Sequence, residues 1–503
     1  GVLLMAKVIK LLGPPGTGKT STLLDYVETE METVPIDKIG YFSFTRKAAN
    51  EARDRAIEKF NLDKKSFRWF STLHSCGYHS IDQEGRTVMG KPHFKSFSDK
   101  IGLKAQLVVD TETGMSDNIY LNQHNLARAR GISLEEHYRK YVDSTIVDWK
   151  FLEHLSTAYE EFKQVNRYID YTDMLYEAVN ENLLPVLDVV FIDEAQDLTP
   201  LQWAMVEHFA STAKRLYLAG DDDQAIYRWL GADVERFIDY PAEETVLPQS
   251  FRVKKKVQEF AQQIIEVTKN RIHKDWLPTE EDGVLRYHQS MESVDLSSGN
   301  WLLLGRDKFI LDKLEEDCRM QGLWYEKQEK KNIIKPIPQR MFDAITGWND
   351  LMKGEMIDKK IIKKIFFYKK VSNKYEEALD VMNDKHLYDL ETLTLLFGPF
   401  SVGEWSQALD KINLQDRAYL LRLEMKDENI KNKPRIKIST IHAAKGGECD
   451  KVLLTTDMNI RTHESYQKDS DDEQRVFYVG ATRAKEELHV LLPQTTMHFR
   501  LAL

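Results

Sequence analysis

Eight residues near the N-terminus, Gly13, Pro14, Pro15, Gly16, Thr17, Gly18, Lys19 and Thr20, carry the clearest chemistry in the chain. Glycines at this spacing let the backbone curl until its N–H groups point inward at an anion. Lys19 would reach the β- and γ-phosphates of a nucleoside triphosphate, and the Thr20 hydroxyl would ligate Mg²⁺. A helix beginning here adds its positive N-terminal end. A second constellation, Asp193-Glu194-Ala195-Gln196-Asp197, follows the apolar run 186–192. Asp193 would hold Mg²⁺, usually through water, as this hard cation prefers. Glu194 would orient or deprotonate the attacking water. Two adjacent acids are commonplace on a solvated surface. Behind a buried-looking strand, in a chain with a phosphate loop, they read as catalytic, and the chemistry is hydrolysis of a nucleoside triphosphate.

Both constellations need a strand before them and a helix after them. Short apolar runs at residues 8–12, 39–44, 186–192, 216–219, 301–304, 451–455 and 488–492 end in small or acidic residues and precede helical patterns. This alternation predicts βα units, hence parallel sheets covered by helices. The runs fall into two groups, before and after residue 246, while residues 81–164 and 336–431 are charged, helical in pattern and short of strand signals. The expected fold class is α/β, with two parallel-sheet domains that each carry a mainly helical insertion. One domain comprises 1–80 and 165–246 with insertion 81–164; the other comprises 247–335 and 432–503 with insertion 336–431.

Bulk properties narrow the class further. At 503 residues the chain exceeds a single hydrophobic core. Its 42% hydrophobic and 30% charged residues describe an ordinary globular protein. No run approaches the roughly 20 apolar residues of a membrane span. Lys7 and Lys10 bracket Val8 and Ile9, which does not resemble a cleavable signal. Residues 1–4, ahead of Met5, read as a cloning remnant. Cys76, Cys318 and Cys449 are odd in number and far apart, which suits a reducing cytosol and excludes a cluster held by four cysteines of this chain. His74-Ser-Cys76-Gly-Tyr-His79 offers three ligand types without an evident fourth, so structural zinc is not expected. A net charge of −10 argues against coating nucleic acid through overall charge but leaves room for a local groove.

Further motifs turn a hydrolase into a more specific expectation. They are Phe42-Ser-Phe-Thr-Arg-Lys-Ala-Ala49, Ser71-Thr-Leu-His74-Ser75, Asp170-Tyr-Thr-Asp-Met-Leu175, and Leu218-Ala-Gly-Asp-Asp-Asp-Gln-Ala-Ile-Tyr-Arg-Trp-Leu-Gly231. Leu247-Pro-Gln-Ser-Phe-Arg252, Ile438-Ser-Thr-Ile-His-Ala-Ala-Lys-Gly-Gly-Glu448 and Arg475-Val-Phe-Tyr-Val-Gly-Ala-Thr-Arg-Ala484 follow in order. With the phosphate loop and Asp193-Glu194, this series resembles superfamily-one DNA helicases of the UvrD, PcrA and Rep type, in a compact, phage-like form. The resemblance implies two RecA-like domains with ATP and Mg²⁺ bound at the cleft between them. It also implies 3′-to-5′ movement on single-stranded DNA and action at single-strand/duplex junctions. A monomer in a prokaryotic or phage-infected cytosol is expected, with single-strand-binding or replication and recombination proteins as candidate partners.

The resemblance also assigns residues. Gln224 would sense the γ-phosphate, and Arg252 and Arg483 would act as arginine fingers on the transferring phosphoryl group. Phe251 stands where relatives stack a tyrosine on the nucleotide base. Gly446 matches a position near the γ-phosphate, and Glu448 one that bonds the ribose. Phe44, Tyr227 and Trp229 match base-stacking positions, which suit a motor because every base has a π-face. Core packing is the other account of aromatics, closest to balance for Phe44 and Tyr227. Thr45, His74, Thr440 and His442 match positions along the strand's backbone. For the two histidines a structural hydrogen bond explains the residue nearly as well.

The pattern departs from relatives in places. Residues 1–12 hold no glutamine to read the adenine edge, which leaves the choice among nucleoside triphosphates open. The second insertion shows no Gly-x-Gly hairpin of the kind that grips duplex DNA, and no nuclease-like segment follows the last motif. Its basic run, residues 359–370, is either a duplex contact or a solvated helix face. Three other activities stay open: a translocase that strips proteins from single strands, an RNA helicase, and a switch or loader that hydrolyses ATP without moving.

Overall fold

The computed structural model of the chain describes residues 6–102, 116, 118–329, 332–370, 379–380, 382–398 and 403–501. Residues 1–5, whose first four were read as a cloning remnant, and parts of both insertions lie outside the described residues. Packing divides the chain into two compact units, residues 1–282 with 466–482 and residues 283–465 with 483–503. By chain order, 247–282 and 466–482 were expected with the second half; they are described here with the first unit.

The first unit is built on a six-stranded parallel sheet. Its strands are β1 (Lys7–Leu12), β2 (Ile39–Ser43), β3 (Phe70–Thr72), β4 (Val189–Asp193), β5 (Arg215–Gly220) and β6 (Glu243–Val246). They lie in the order β3–β2–β4–β5–β1–β6. Strand β4, Val-Val-Phe-Ile-Asp, is buried throughout, as β-branched and aromatic residues covered on both faces demand. Register places Leu12 opposite Gly220 and Ser43 opposite Asp193. The loops after β1, β2, β4 and β5 therefore leave the sheet along one edge, where open parallel sheets bind ligands.

Helix starts are written into the sequence beside these strands. Thr45 caps α1 (Arg46–Phe60) by accepting from Ala48 N at 3.2 Å, and Thr72 caps α2 (Leu73–Ser80) by accepting from Ser75 N. Asp170 and Asp173 form a reciprocal capping box at the start of α3 (Tyr171–Asn180). The same two carboxylates hold the first insertion. Lys163 reaches both at 2.9 Å, and Arg128 pairs with Asp170 at 2.8 Å and with Asp173. The Asp170 motif is thus a structural joint. Insertion 81–164 is mainly helical among its described residues, with one short bridge of Thr87–Val88 to Tyr168–Ile169.

The second unit carries a seven-stranded sheet of β7 (Val284–His288), β8 (Trp301–Gly305), β9 (Tyr325–Glu329), β10 (Asn332–Ile334), β11 (Ile436–Thr440), β12 (Cys449–Thr455) and β13 (Ala484–Leu491). Their order is β10–β9–β11–β8–β12–β13–β7, parallel except for the β9–β10 pair. In its insertion, α4 (Lys359–Tyr368) buries Ile362, Ile365, Phe366 and Tyr368. Lys359 donates to the Met382 carbonyl, Lys364 pairs with Asp343 at 2.6 Å, and Lys369 donates to the Ala408 carbonyl. The basic run is an amphipathic helix: Lys359, Lys364 and Lys369 are engaged internally, while Lys360, Lys363 and Lys370 are exposed. Among the described residues no helix is long and apolar enough to cross a membrane, and the three cysteines are free thiols.

Candidate functional site

The phosphate loop of the first unit is shaped by contacts that only glycine permits. Gly13 N donates to the Gly220 carbonyl, which ties the loop to the strand beside it. A Cβ on Gly13 would lie 1.9 Å from Lys19 Cγ, because the lysine folds back and donates from Nζ to the Gly13 carbonyl at 2.9 Å. Gly16 has φ +74°, and a Cβ there would meet Arg252 Cβ at 2.6 Å. Thr17 closes the turn by donating to the Pro14 carbonyl at 2.8 Å. Gly18 then caps the helix Lys19–Met31.

A second segment clasps this loop. Ser250 Oγ donates to the Pro15 carbonyl at 2.8 Å, and Phe251 N donates to the Gly16 carbonyl at 2.9 Å. Arg252 is thereby held against the phosphate loop, while the Phe251 ring stands 76% exposed beside it. Such exposure suits a ring waiting to be stacked upon.

Asp193 ends β4 with its carboxylate buried. Its Oδ1 accepts from Glu194 N at 2.9 Å, and its Oδ2 accepts from Tyr41 Oη at 2.9 Å and from Thr20 Oγ1 at 3.3 Å. Burial, then the neighbouring Glu194, pushes this acid up to about 6, against the pull of Lys19 and the Tyr41 hydrogen bond. Glu194 sits in the left-handed region at φ 56°, a costly conformation for a residue with a side chain and one often found at reactive positions. Its carboxylate lies 3.9 Å from Lys19 Nζ and accepts from Gln196 Nε2 at 2.6 Å. Gln196 is a residue that sequence reasoning passed over. It is fully buried and also accepts from Asp221 N at 3.0 Å, so it links Glu194 to the loop after β5.

That loop holds the three aspartates before Gln224, and all three are buried. Lys274 Nζ lies 3.4 Å from Asp221, 2.5 Å from Asp222 and 3.0 Å from Asp223. Arg271 grips Asp223 with two hydrogen bonds of 2.8 and 2.7 Å. Arg475, on α5 (Asp471–Ala481), donates from Nε to the Asp222 carbonyl at 2.8 Å. Gln224 Nε2 donates to Asp221 at 2.7 Å. The amide expected to sense phosphate is therefore mounted on a buried acid cluster that encloses Lys274 and Arg271. Nothing in a single sequence marks Lys274 or Arg271 as its counterions.

Farther along the loop, the Tyr227 ring stacks on Phe44 with centroids 5.7 Å apart, and Trp229 stands 58% exposed. Arg228 is braced by Asp472 and Glu235 at 3.0 and 2.7 Å. His74 lines a pocket of about 300 Å³ with Arg46, Arg53, Ser71, Tyr78 and Tyr171. Burial, then the nearby Arg46, pushes its imidazole down to about 4, so it is neutral at pH 7. Thr45, as noted, is engaged as a helix cap.

In the second unit, Thr440 ends β11 and its hydroxyl accepts from Ala443 N at 3.1 Å. His442 is half-buried, Gly446 has φ +78°, and Glu448 is exposed with Lys485 4.0 Å away. Arg483 is buried and donates to the Gly447 carbonyl at 3.1 Å, which ties it to the glycine turn.

Known protein families match nearly the whole chain. Residues 2–243 match the UvrD/REP helicase N-terminal domain, and residues 247–495 match the UvrD-like helicase C-terminal domain. A probable DNA helicase II homolog of Mycoplasma capricolum is 22% identical, over 97% of this chain and 82% of that protein. The ATP-dependent DNA helicase PcrA of Bacillus subtilis is 22% identical, over 95% and 80%. The PcrA of Staphylococcus aureus strain Mu50 is 24% identical, over 57% of this chain and 42% of that protein.

Proposed function

The chain belongs to the UvrD/Rep family of ATP-hydrolysing DNA helicases, and from that premise we propose that it moves 3′ to 5′ along single-stranded DNA and separates the duplex ahead. Lys19 and the loop N–H groups bind the β- and γ-phosphates. Thr20 and Asp193 fit a Mg²⁺ site: a hydroxyl and a buried carboxylate 3.3 Å apart are the hard oxygen donors this cation prefers. Bound there, the ion supplies charge neutralisation at the phosphoryl oxygens. Glu194, held by Gln196, orients or deprotonates the attacking water. Arg252 and Arg483 serve as the arginine fingers, Phe251 stacks on the base, Gly446 lies near the γ-phosphate, and Glu448 bonds the ribose. On the DNA side, Phe44, Tyr227 and Trp229 stack bases, while Thr45, His74, Thr440 and His442 meet the sugar–phosphate backbone.

One observation carries this reading. A single short loop, mounted on Lys274, Arg271 and Arg475, holds both Gln224, whose amide donates to Asp221, and the exposed Trp229. A change at Gln224 on phosphate loss reaches the aromatic surface through only a few residues. The deciding experiment is the steady-state ATPase rate with and without single-stranded DNA, with Lys19→Ala as the blank. A many-fold rise with DNA, greater than with RNA of the same sequence, is expected. A rate indifferent to both strands would sink the motor reading and leave a nucleotide switch.

A second reading, a single-strand translocase that displaces proteins and unwinds poorly, is favoured by the lysine run of the second insertion. Lys359, Lys364 and Lys369 are engaged internally, which leaves less charge to grip a duplex. Robust unwinding of a 3′-tailed duplex would exclude it.

A further inference from the structure

Tyr41 belongs to none of the motifs above, yet it touches the most constrained side chain of the nucleotide site. It is fully buried on β2, and its ring stacks against Phe70 and Phe191, its register partners on β3 and β4, with centroids 5.4 and 6.2 Å away. Clamped between two strands, the ring has one polar atom, and that atom donates to Asp193 Oδ2 at 2.9 Å. The other carboxylate oxygen is fixed by Glu194 N at 2.9 Å. Two anchors on two oxygens define the rotation of the carboxylate, and Oδ2 is left facing the Thr20 hydroxyl 3.3 Å away.

We propose that Tyr41 is a positioning residue that orients Asp193 to receive Mg²⁺ beside Thr20, a role that rests on the nucleotide site described above. Groups that hold a metal ligand's orientation govern affinity nearly as strongly as the ligands themselves. Toward an ionised Asp193 the phenol can only donate, because a carboxylate offers no proton. Removing the hydroxyl leaves Oδ2 with the longer Thr20 contact and frees the carboxylate to turn toward Lys19.

The test compares the full chain with Tyr41→Phe, which keeps the stacked ring and removes one oxygen. Mn²⁺ binding in the presence of ADP is followed by electron paramagnetic resonance, and metal-free ADP binding is measured by calorimetry in EDTA. The expected result is about a tenfold loss of Mn²⁺ affinity with metal-free ADP affinity within about twofold. The Mg²⁺ concentration for half-maximal ATPase should rise by the same factor, while kcat at saturating Mg²⁺ is retained. Unchanged Mn²⁺ affinity overturns the proposal. So does a parallel fall in metal-free ADP affinity, since the hydroxyl would then support the phosphate loop as a whole. If the unmodified chain itself binds no Mn²⁺ with ADP, the nucleotide-site reading fails together with it.

Discussion

Two acid clusters stand at the same edge of the same sheet, and although burial pushes Asp193, Asp221 and Asp222 all upward, the clusters differ in the cations that the fold brings to them. Asp193 and Glu194 share Lys19 as their nearby cation, 3.9 Å from Glu194, and burial with mutual repulsion pushes Asp193 up to about 6. Asp221, Asp222 and Asp223 enclose Lys274, and Arg271 adds a two-bond clasp on Asp223. The first cluster places a buried carboxylate beside a hydroxyl and suits an incoming cation; the second encloses Lys274 and Arg271 among its three acids and suits a fixed mount. The difference teaches that counting carboxylates in a sequence does not identify chemistry. What counts is whether the fold brings its own counterions.

The strongest way to break this contrast is to neutralise one acid of the first cluster. Glu194→Gln should lower the DNA-stimulated ATPase by at least about a thousandfold, on the order of 4 kcal/mol of barrier. Thermal stability should be held or raised, because a like charge beside Asp193 is removed. A clear fall in melting temperature would mean that this pair, too, is a structural mount.

The matching test on the second cluster inverts the outcome. Lys274→Met leaves three buried aspartates without their shared cation and should cost about 3–5 kcal/mol of stability, read as a fall in denaturant midpoint. The rate per folded molecule should fall far less than in Glu194→Gln. Adding Asp222→Asn should restore part of the stability, since the charge left uncompensated is then smaller. Loss of turnover without loss of stability would turn the triad into a catalytic element.

How much of this was legible beforehand follows the same division. The phosphate loop, Asp193 and Glu194 were readable because their spacing is fixed by local chemistry, and the strands behind them announced themselves as apolar runs. Strand β3 and strand β6 were not seen as runs: Phe70–Thr72 is three residues long, and Glu243–Val246 is an edge strand with exposed acids. Lys274, Arg271 and Tyr41 could not be found at all. Their roles come from pairing across long stretches of chain, 52 residues between Lys274 and Asp222 and 152 between Tyr41 and Asp193. Gln196 and Ser250 sat inside quoted motifs, where a buried amide or hydroxyl near a phosphate loop could have been suspected of bridging. The Asp170 motif was legible as a pattern, but only geometry shows it to be a cap and a joint.

The acid mount can be probed at its outer end. If it transmits nucleotide state to a stacked strand, Trp229→Ala should reduce stimulation of the ATPase by single-stranded DNA by about tenfold, consistent with roughly 1–3 kcal/mol per stacked base. The rate without DNA should be unchanged, because Trp229 lies beyond Gln224 and is 58% exposed. Tyr227→Ala should do less to DNA coupling and more to stability, since its ring already has a partner in Phe44. Equal losses in both variants, with and without DNA, would argue that the aromatics serve the loop's packing alone.

His74 shows a third way to handle a half-buried ionisable group, which is to keep it uncharged. Its folded pKa of about 4 lies below the 6.5 of an unperturbed imidazole, owing first to burial and then to Arg46. The unfolded chain therefore binds more protons than the native one between those values, and stability must fall as the pH drops through this window. The loss attributable to His74 is nearly absent above pH 7, reaches about 1.4 kcal/mol near pH 5.5, and levels off below about pH 4. His74→Asn should flatten the stability–pH curve by that amount between pH 7.5 and 5.5, in denaturant melts of the protein alone. If single-stranded DNA places a phosphate against this imidazole, the anion favours its protonated form, and the DNA-bound protein should lose less stability on acidification than the free one. An identical pH slope with and without DNA would leave His74 a structural histidine, and the backbone contact would have to be sought among Arg46, Arg53 and Tyr171 of the same pocket.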